Sequence, residues 1–241
     1  MSKNYQHITA EIAKGKKLLA VLIDPDKFSD LSELDVTLNN ISVAKVDIIF
    51  IGGSLLTKDN FDACLSYIKS KIDIPVIIFP GGNNQVSAKA DAILFLSLIS
   101  GRNPEYLIGK QVATAPIIKQ IGLEAISTGY ILVDCGNETA VSYISNTKAI
   151  PYEKHNIARA TAMAGEMLGM KMIYCDGGSG AAKPISEKTI AKVKSSISVP
   201  LIVGGGMKTK ESAQKAWNAG ADIIVIGTAI EENPELVLEW G

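Results

Sequence analysis

Three glycine-rich turns and two short polar motifs hold the residues whose types and spacing suit chemistry. The turns are Asp176-Gly177-Gly178-Ser179-Gly180, Gly204-Gly205-Gly206 and Gly227-Thr228, each placed after a short apolar run. Lacking a Cβ, glycine lets the backbone approach an oxyanion and aim its N–H groups at it. A single such turn is weak evidence, because glycine also makes ordinary tight turns. Three in succession point to a phosphate site. The polar motifs are Asp24-Pro25-Asp26 and Gly52-Gly53-Ser54. A carboxylate and a hydroxyl are hard oxygen donors. Mg²⁺ takes few of these from protein and fills its shell with water and substrate phosphates. Asp24 has a competing role as a turn-forming or helix-capping aspartate before Pro25. The histidines lie elsewhere, His7 in the polar segment 1–17 and His155 at a helix start after Pro151. Both read as surface or structural residues.

Bringing these groups together requires a fold in which many strands end at one place. Runs rich in Ile, Val and Leu predict strands at 18–24, 48–52, 76–79, 92–98, 124–126 (with 130–133 as a further piece), 171–175, 201–204 and 223–227. Their near-continuous apolar character suits a sheet covered on both faces. Helical spacing appears over 31–46, 61–72, 185–197 and 209–219, the last stopped by Gly220, and Asn103-Pro104 opens another helix. Alternating strand and helix implies parallel βαβ units and a single-domain α/β fold over 1–241, a (β/α)8 TIM barrel. An open doubly wound sheet competes, but its glycine fingerprint belongs in the first strand–helix turn. Here the glycines lie in the last quarter, after strands six to eight, where barrels build phosphate sites. Two connections break the rhythm. Residues 81–91 are too few for a full barrel helix, and 134–153 form a long link of weak periodicity.

Composition narrows the function classes. Of 241 residues, 47% are hydrophobic and 20% charged, enough for a sizeable core. The formal net charge of −1 provides no global field for nucleic acid. No run approaches the length of a membrane span and residues 1–17 lack a signal-peptide core, so a cytoplasmic protein is expected. Cys64, Cys135 and Cys175 are scattered, as expected of reduced thiols without a metal-ligand pattern.

Taken in order, Asp24-Pro25-Asp26, Gly52-Gly53-Ser54, Gly129-Tyr130-Ile131-Leu132-Val133-Asp134, Tyr174-Cys175-Asp176-Gly177-Gly178-Ser179-Gly180-Ala181, Gly204-Gly205-Gly206 and Gly227-Thr228 resemble the geranylgeranylglyceryl phosphate synthase family along the whole chain. The resemblance implies a TIM barrel that joins sn-glycerol 1-phosphate to geranylgeranyl diphosphate, releasing diphosphate. It implies Mg²⁺ on Asp24 and Ser54. It places glycerol phosphate on Tyr174, Cys175, Asp176, Gly177, Gly178, Ser179, Gly180, Gly205, Gly206, Gly227 and Thr228. Asp176 and Tyr174 take catalytic roles, Asp176 beside the glycerol hydroxyl. One position departs: some relatives carry a lysine two residues before the metal aspartate, where this chain has Leu22. A prenyl chain is expected in the gap left by the short connection after Phe79-Pro80-Gly81-Gly82, and a homo-oligomer is expected because barrels often pair through helix faces.

Other phosphate enzymes share such a cradle. A sugar-phosphate isomerase would need an acid–base pair, for which Asp24 and Asp176 are the candidates. An FMN-dependent enzyme would hold the flavin's phosphate there, and a phosphate-binding module would bind without turnover.

Overall fold

In the computed structural model, which describes residues 2–240, eight parallel strands close into a barrel in the order β1 to β8. They are β1 Leu18–Ile23, β2 Ile48–Ile51, β3 Val76–Ile78, β4 Ala92–Leu98, β5 Glu124–Leu132, β6 Met172–Asp176, β7 Leu201–Gly204 and β8 Ile223–Ile226. Around them lie α2 Leu34–Val43, α3 Phe61–Lys71, α4 Lys110–Gln120, α5 Ala140–Ser145, α6 His155–Met167, α7 Glu187–Lys194, α8 Lys210–Asn218 and α9 Thr228–Glu232. Before them comes α1, Lys3–Ala13. Among the described residues, no helix is long and apolar enough to cross a membrane.

The continuous apolar runs follow from burial on both strand faces. Leu18 and Ala20 face the barrel interior, while Leu19, Val21 and Ile23 pack under the helices. The same parity runs through β6: Met172 and Tyr174 point inward, Ile173 and Cys175 outward. Continued by two residues past Ala20 and Tyr174, and by four at Asp24, it carries Leu22, Asp24 and Asp176 to the open, carboxyl end.

Three features differ from what periodicity predicts. First, β5 is one strand of nine residues, where two pieces are predicted. Gly129 sits inside it because a side chain there would meet Met170 Sδ at 2.7 Å and Ile99 Cδ1 at 2.8 Å. Second, the polar segment 1–17 contains a helix. Ile8 of α1 packs into the base of the barrel, with Tyr5 and Ile12 beside it. The backbone N–H groups of Asn4 and Tyr5 donate to the Glu124 carboxylate at 2.8 and 2.9 Å, so α1 closes the face opposite the strand ends. Third, the long 134–153 link contains α5, capped by the Thr139 hydroxyl.

Other expectations hold. No helix lies between β3 and β4. Asn103 caps the helical segment that leads into α4, accepting from Glu105 N–H at 3.1 Å. His155 is buried, with Nδ1 2.8 Å from the Thr189 hydroxyl, so it ties α6 to α7 as a structural residue.

Candidate active site

A cavity of about 710 Å³ opens at the carboxyl ends of the strands. Asp24 and Ser54 line it from β1 and β2, Tyr174 and Asp176 from β6. Gly178, Ser179 and Gly180, Gly205 and Gly206, and Gly227 with Thr228 complete that edge. The fold thus gathers eleven of the thirteen sequence-predicted positions: Cys175 and Gly177 are not among the lining residues. Cys175 lies on the outward face of β6, fully buried under the helices, and burial pushes its thiol up to about 12. Gly177 is also buried; its N–H donates to the Gly204 carbonyl at 3.1 Å, so its part is to join two of the glycine turns.

The phosphate edge is built from backbone. Gly178, Gly180, Gly205 and Gly206 all have positive φ. At Gly205 a side chain would stand 2.7 Å from Asp176 Oδ1 and 2.6 Å from Gly177 N, so only glycine lets β7 and β6 turn this closely. Gly227 differs. Its nearest neighbour to an added Cβ is Leu22 at 3.5 Å, which is ordinary contact. The hydroxyls of Ser179 and Thr228 lie 3.1 Å apart across this edge. Leu22 also lines the cavity here, an apolar group where a lysine would stand in some relatives.

Asp24 and Asp26 divide their work. Asp24 Oδ1 caps the short turn by accepting from Asp26 N–H at 3.0 Å, and the same residue lines the cavity, so capping does not take it out of the site. Asp26 turns away and holds the loop after β2 through Thr57 and Lys58. Gly53 lies against the Asp24 carboxylate, 3.1 Å from where a Cβ would be, and Ser54 follows it in the cavity wall. Burial raises the Asp24 carboxyl above its ordinary value, opposed by the Asp26 N–H. Among the described residues, no three His, Cys, Asp or Glu side chains cluster to hold a metal. Glu231 of α9 shares this cavity wall with Asp24 and Ser54, and burial together with the Asp24 charge raises its carboxyl. Oxygen donors of this kind suit an ion that draws its remaining ligands from water and phosphate, as Mg²⁺ does.

Three residues around this site carried no predicted role. Gln85, in the helix-free connection after β3, is almost fully buried. It accepts from the N–H groups of Gly53 and Gly81 at 3.3 and 3.2 Å and donates to the Gly53 carbonyl at 2.7 Å. Tyr130 donates its hydroxyl to Asp176 Oδ2 at 2.5 Å. Phe79 stacks on Tyr174 with centroids 5.2 Å apart. The short connection after β3 is the sequence signal for Gln85, and Tyr130 lies inside the Gly129-Tyr130-Ile131-Leu132-Val133-Asp134 motif.

From these rings the cavity extends along an apolar arm. Leu94, Leu96 and Leu98 of β4 line it, faced by Tyr106, Val141 and Ile144. One end of the cavity is therefore polar backbone, the other hydrocarbon, with Asp24 and Asp176 between them.

The family model for the PcrB family matches residues 10–240. The chain belongs to the PcrB family. A protein of Chitinophaga pinensis named geranylgeranylglyceryl phosphate synthase is 53% identical over 238 residues, covering 99% of this chain and 94% of that protein. A namesake in Flavobacterium johnsoniae is 49% identical over 229 residues, covering 95% and 94%. The fold is similar to the crystal structure of (S)-3-O-geranylgeranylglyceryl phosphate synthase from Thermoplasma acidophilum in complex with sn-glycerol-1-phosphate. That likeness has a TM-score of 0.90 at 32% identity, with 98% of this chain and 97% of that chain covered.

Proposed function

We propose that this chain is a prenyltransferase that joins geranylgeranyl diphosphate to sn-glycerol 1-phosphate, giving geranylgeranylglyceryl phosphate and diphosphate. The observation that carries this reading is the two-ended cavity, with a backbone anion cradle at one end, a hydrocarbon-lined arm at the other and two carboxylates between. A sugar-phosphate isomerase has no use for the apolar arm, and the relatives' shared name agrees with the transfer reaction.

The glycine turns after β6, β7 and β8 receive the phosphate of glycerol phosphate, placing its free hydroxyl near Asp176. Asp24 and Ser54 are the groups that would hold Mg²⁺, which when bound supplies positive charge to the departing diphosphate. The prenyl chain lies along Leu94, Leu96 and Leu98. As the allylic C–O bond breaks, its electron pair leaves with diphosphate. Positive charge then develops near Phe79, Tyr130 and Tyr174, whose ring faces are electron-rich. The glycerol oxygen forms the new C–O bond, and Asp176 accepts its proton. Burial raises the Asp176 carboxyl above its ordinary value, which makes it a better proton acceptor than an exposed aspartate. Holding both reactants in line makes proximity a large part of the rate.

Supporting the cytoplasmic reading, all three cysteines are free and buried. The expected homo-oligomer fits the outward Ile108, Val112, Ile117 and Ile121 on and beside α4.

The test is incubation of the purified protein with Mg²⁺, radiolabelled glycerol 1-phosphate and a series of prenyl diphosphates, followed by extraction into organic solvent. Label should pass into the lipid phase only when both substrates are present. Label that stays in water with every prenyl diphosphate would remove the assignment.

A further inference from the structure

Asp176 is held at both oxygens. Oδ1 accepts from Gly178 N–H at 2.8 Å, and Oδ2 accepts from the Tyr130 hydroxyl. Tyr130 stands on β5 directly across from Tyr174, two residues before Leu132, which pairs with Asp176. Its side chain has little freedom to leave. It is 5% exposed, with its ring edge-on to Tyr174 at 5.4 Å and against Phe79 at 5.9 Å.

We propose that Tyr130 is a positioning residue for prenyl transfer: its hydroxyl fixes Oδ2 of Asp176, so the carboxylate meets the glycerol hydroxyl ionised and in one orientation. The proposal rests on the role given to Asp176 above. Each carboxylate oxygen has two acceptor directions, so a donor on Oδ2 leaves one for substrate. Without Tyr130, Oδ1 alone would anchor the group, and the carboxylate could rotate about its own axis.

The surroundings make this donor important. The titratable groups around Asp176 are Tyr130 from β5, Tyr174 and Cys175 from β6, and Cys135 from the connection after β5, with Lys183 acting on Cys135 beyond it. No cation acts on the Asp176 carboxylate among the described residues. Neutral donors alone favour its anion: the Tyr130 O–H and the backbone N–H groups of Gly178 and Gly177, the last shared with the Gly204 carbonyl. Tyr130 itself does not compete as base. Burial, reinforced by the Asp176 charge, holds its phenol well above the ordinary value, so it remains protonated and donates.

Tyr130→Phe keeps the ring and removes only the hydroxyl. Hydrogen bonds to charged groups are worth enough that kcat should fall roughly ten- to hundredfold. KM for glycerol phosphate should stay within a few-fold, because the phosphate is held elsewhere. Losing a donor to the anion raises the Asp176 value, so the acidic limb of the kcat profile should move to higher pH. In an Asp176→Asn background, Tyr130→Phe should cost less than about threefold, since the pair acts as a unit. A merely structural role predicts multiplying losses and an unmoved limb, and either result overturns the proposal.

A readout independent of turnover separates this from the function itself. Carbon-13 NMR of Asp-labelled protein, with Asp176 assigned by its loss in Asp176→Asn, should show the Asp176 titration displaced upward in Tyr130→Phe. If that variant does not fold, 3-fluorotyrosine at position 130 replaces it. Being a stronger donor in nearly the same volume, it should move the titration downward. An unmoved titration overturns the pairing. A moved titration in a protein that transfers no prenyl group overturns the prenyltransferase reading and leaves the pairing standing.

Discussion

Gln85 grips the backbone of Gly53 from both sides, accepting from its N–H at 3.3 Å and donating to its carbonyl at 2.7 Å. The same Oε1 accepts from Gly81 N–H at 3.2 Å. One side chain therefore ties the helix-free connection between β3 and β4 to the loop after β2 that carries Ser54. Gln85→Ala should leave these buried backbone groups without partners and destabilise the fold by roughly 2–4 kcal/mol. Urea unfolding measures this, and a change below about 0.5 kcal/mol, the usual range for surface substitutions, would show that the loop holds itself.

Asp24→Asn keeps the shape and can still accept the Asp26 N–H, but it removes the negative charge available to Mg²⁺. Turnover should fall by at least about a hundredfold, while the thermal midpoint stays near that of the parent protein. Near-normal turnover with Mg²⁺ would take Asp24 out of the metal site and leave it as a cap.

Two glycines of the cradle should fail in different assays. A side chain at Gly206 meets the Lys183 carbonyl at 2.5 Å on a backbone of φ +68°, so Gly206→Ala should lower the melting temperature. Gly227 has room for a Cβ, 3.5 Å from Leu22, so there the obstacle arises only when an anion approaches. Gly227→Val should weaken glycerol phosphate binding far more than prenyl diphosphate binding. Calorimetry that shows equal weakening of both would move the phosphate away from β8.

Asp176→Asn separates chemistry from stability. If the carboxylate takes the glycerol proton, kcat should fall by about 10²–10⁴ with little change in glycerol phosphate affinity. Stability should respond in the opposite sense. Burial raises the Asp176 carboxyl, so the folded state binds a proton more tightly than the unfolded chain. The native protein therefore gains stability from this group as pH falls from neutral toward the ordinary carboxylate range. Asparagine removes that dependence, so the variant should melt no lower than the parent at neutral pH, and any advantage should shrink on acidification. A rate within a few-fold of the parent would leave Asp176 as the turn cap that its bond to Gly178 already makes it.

The barrel was legible because each βα unit declares itself locally, through apolar runs such as 48–52 and helices such as 61–72. The glycine turns were legible for the same reason. Contacts between distant residues were not. Tyr130 and Asp176 are 46 positions apart, and only the β5–β6 register brings them together. Gly129 resembled a break because nothing local announces that Met170 and Ile99 fill the space beside it. The helix α1 looked polar because only Tyr5, Ile8 and Ile12 face the barrel, too few to stand out among charged neighbours. Cys175 was carried into the site by its motif, although strand alternation between Tyr174 and Asp176 already points it outward.

Phosphorus NMR tests prenyl transfer most directly, because it follows both phosphorylated substrates in one tube. With Mg²⁺, glycerol 1-phosphate and geranylgeranyl diphosphate, inorganic diphosphate should appear in step with loss of the prenyl diphosphate signals. The glycerol phosphate monoester should persist in equal amount as a lipid phosphomonoester. Diphosphate released with glycerol phosphate unaltered would mean hydrolysis instead of transfer, and spectra that never change would contradict the account altogether.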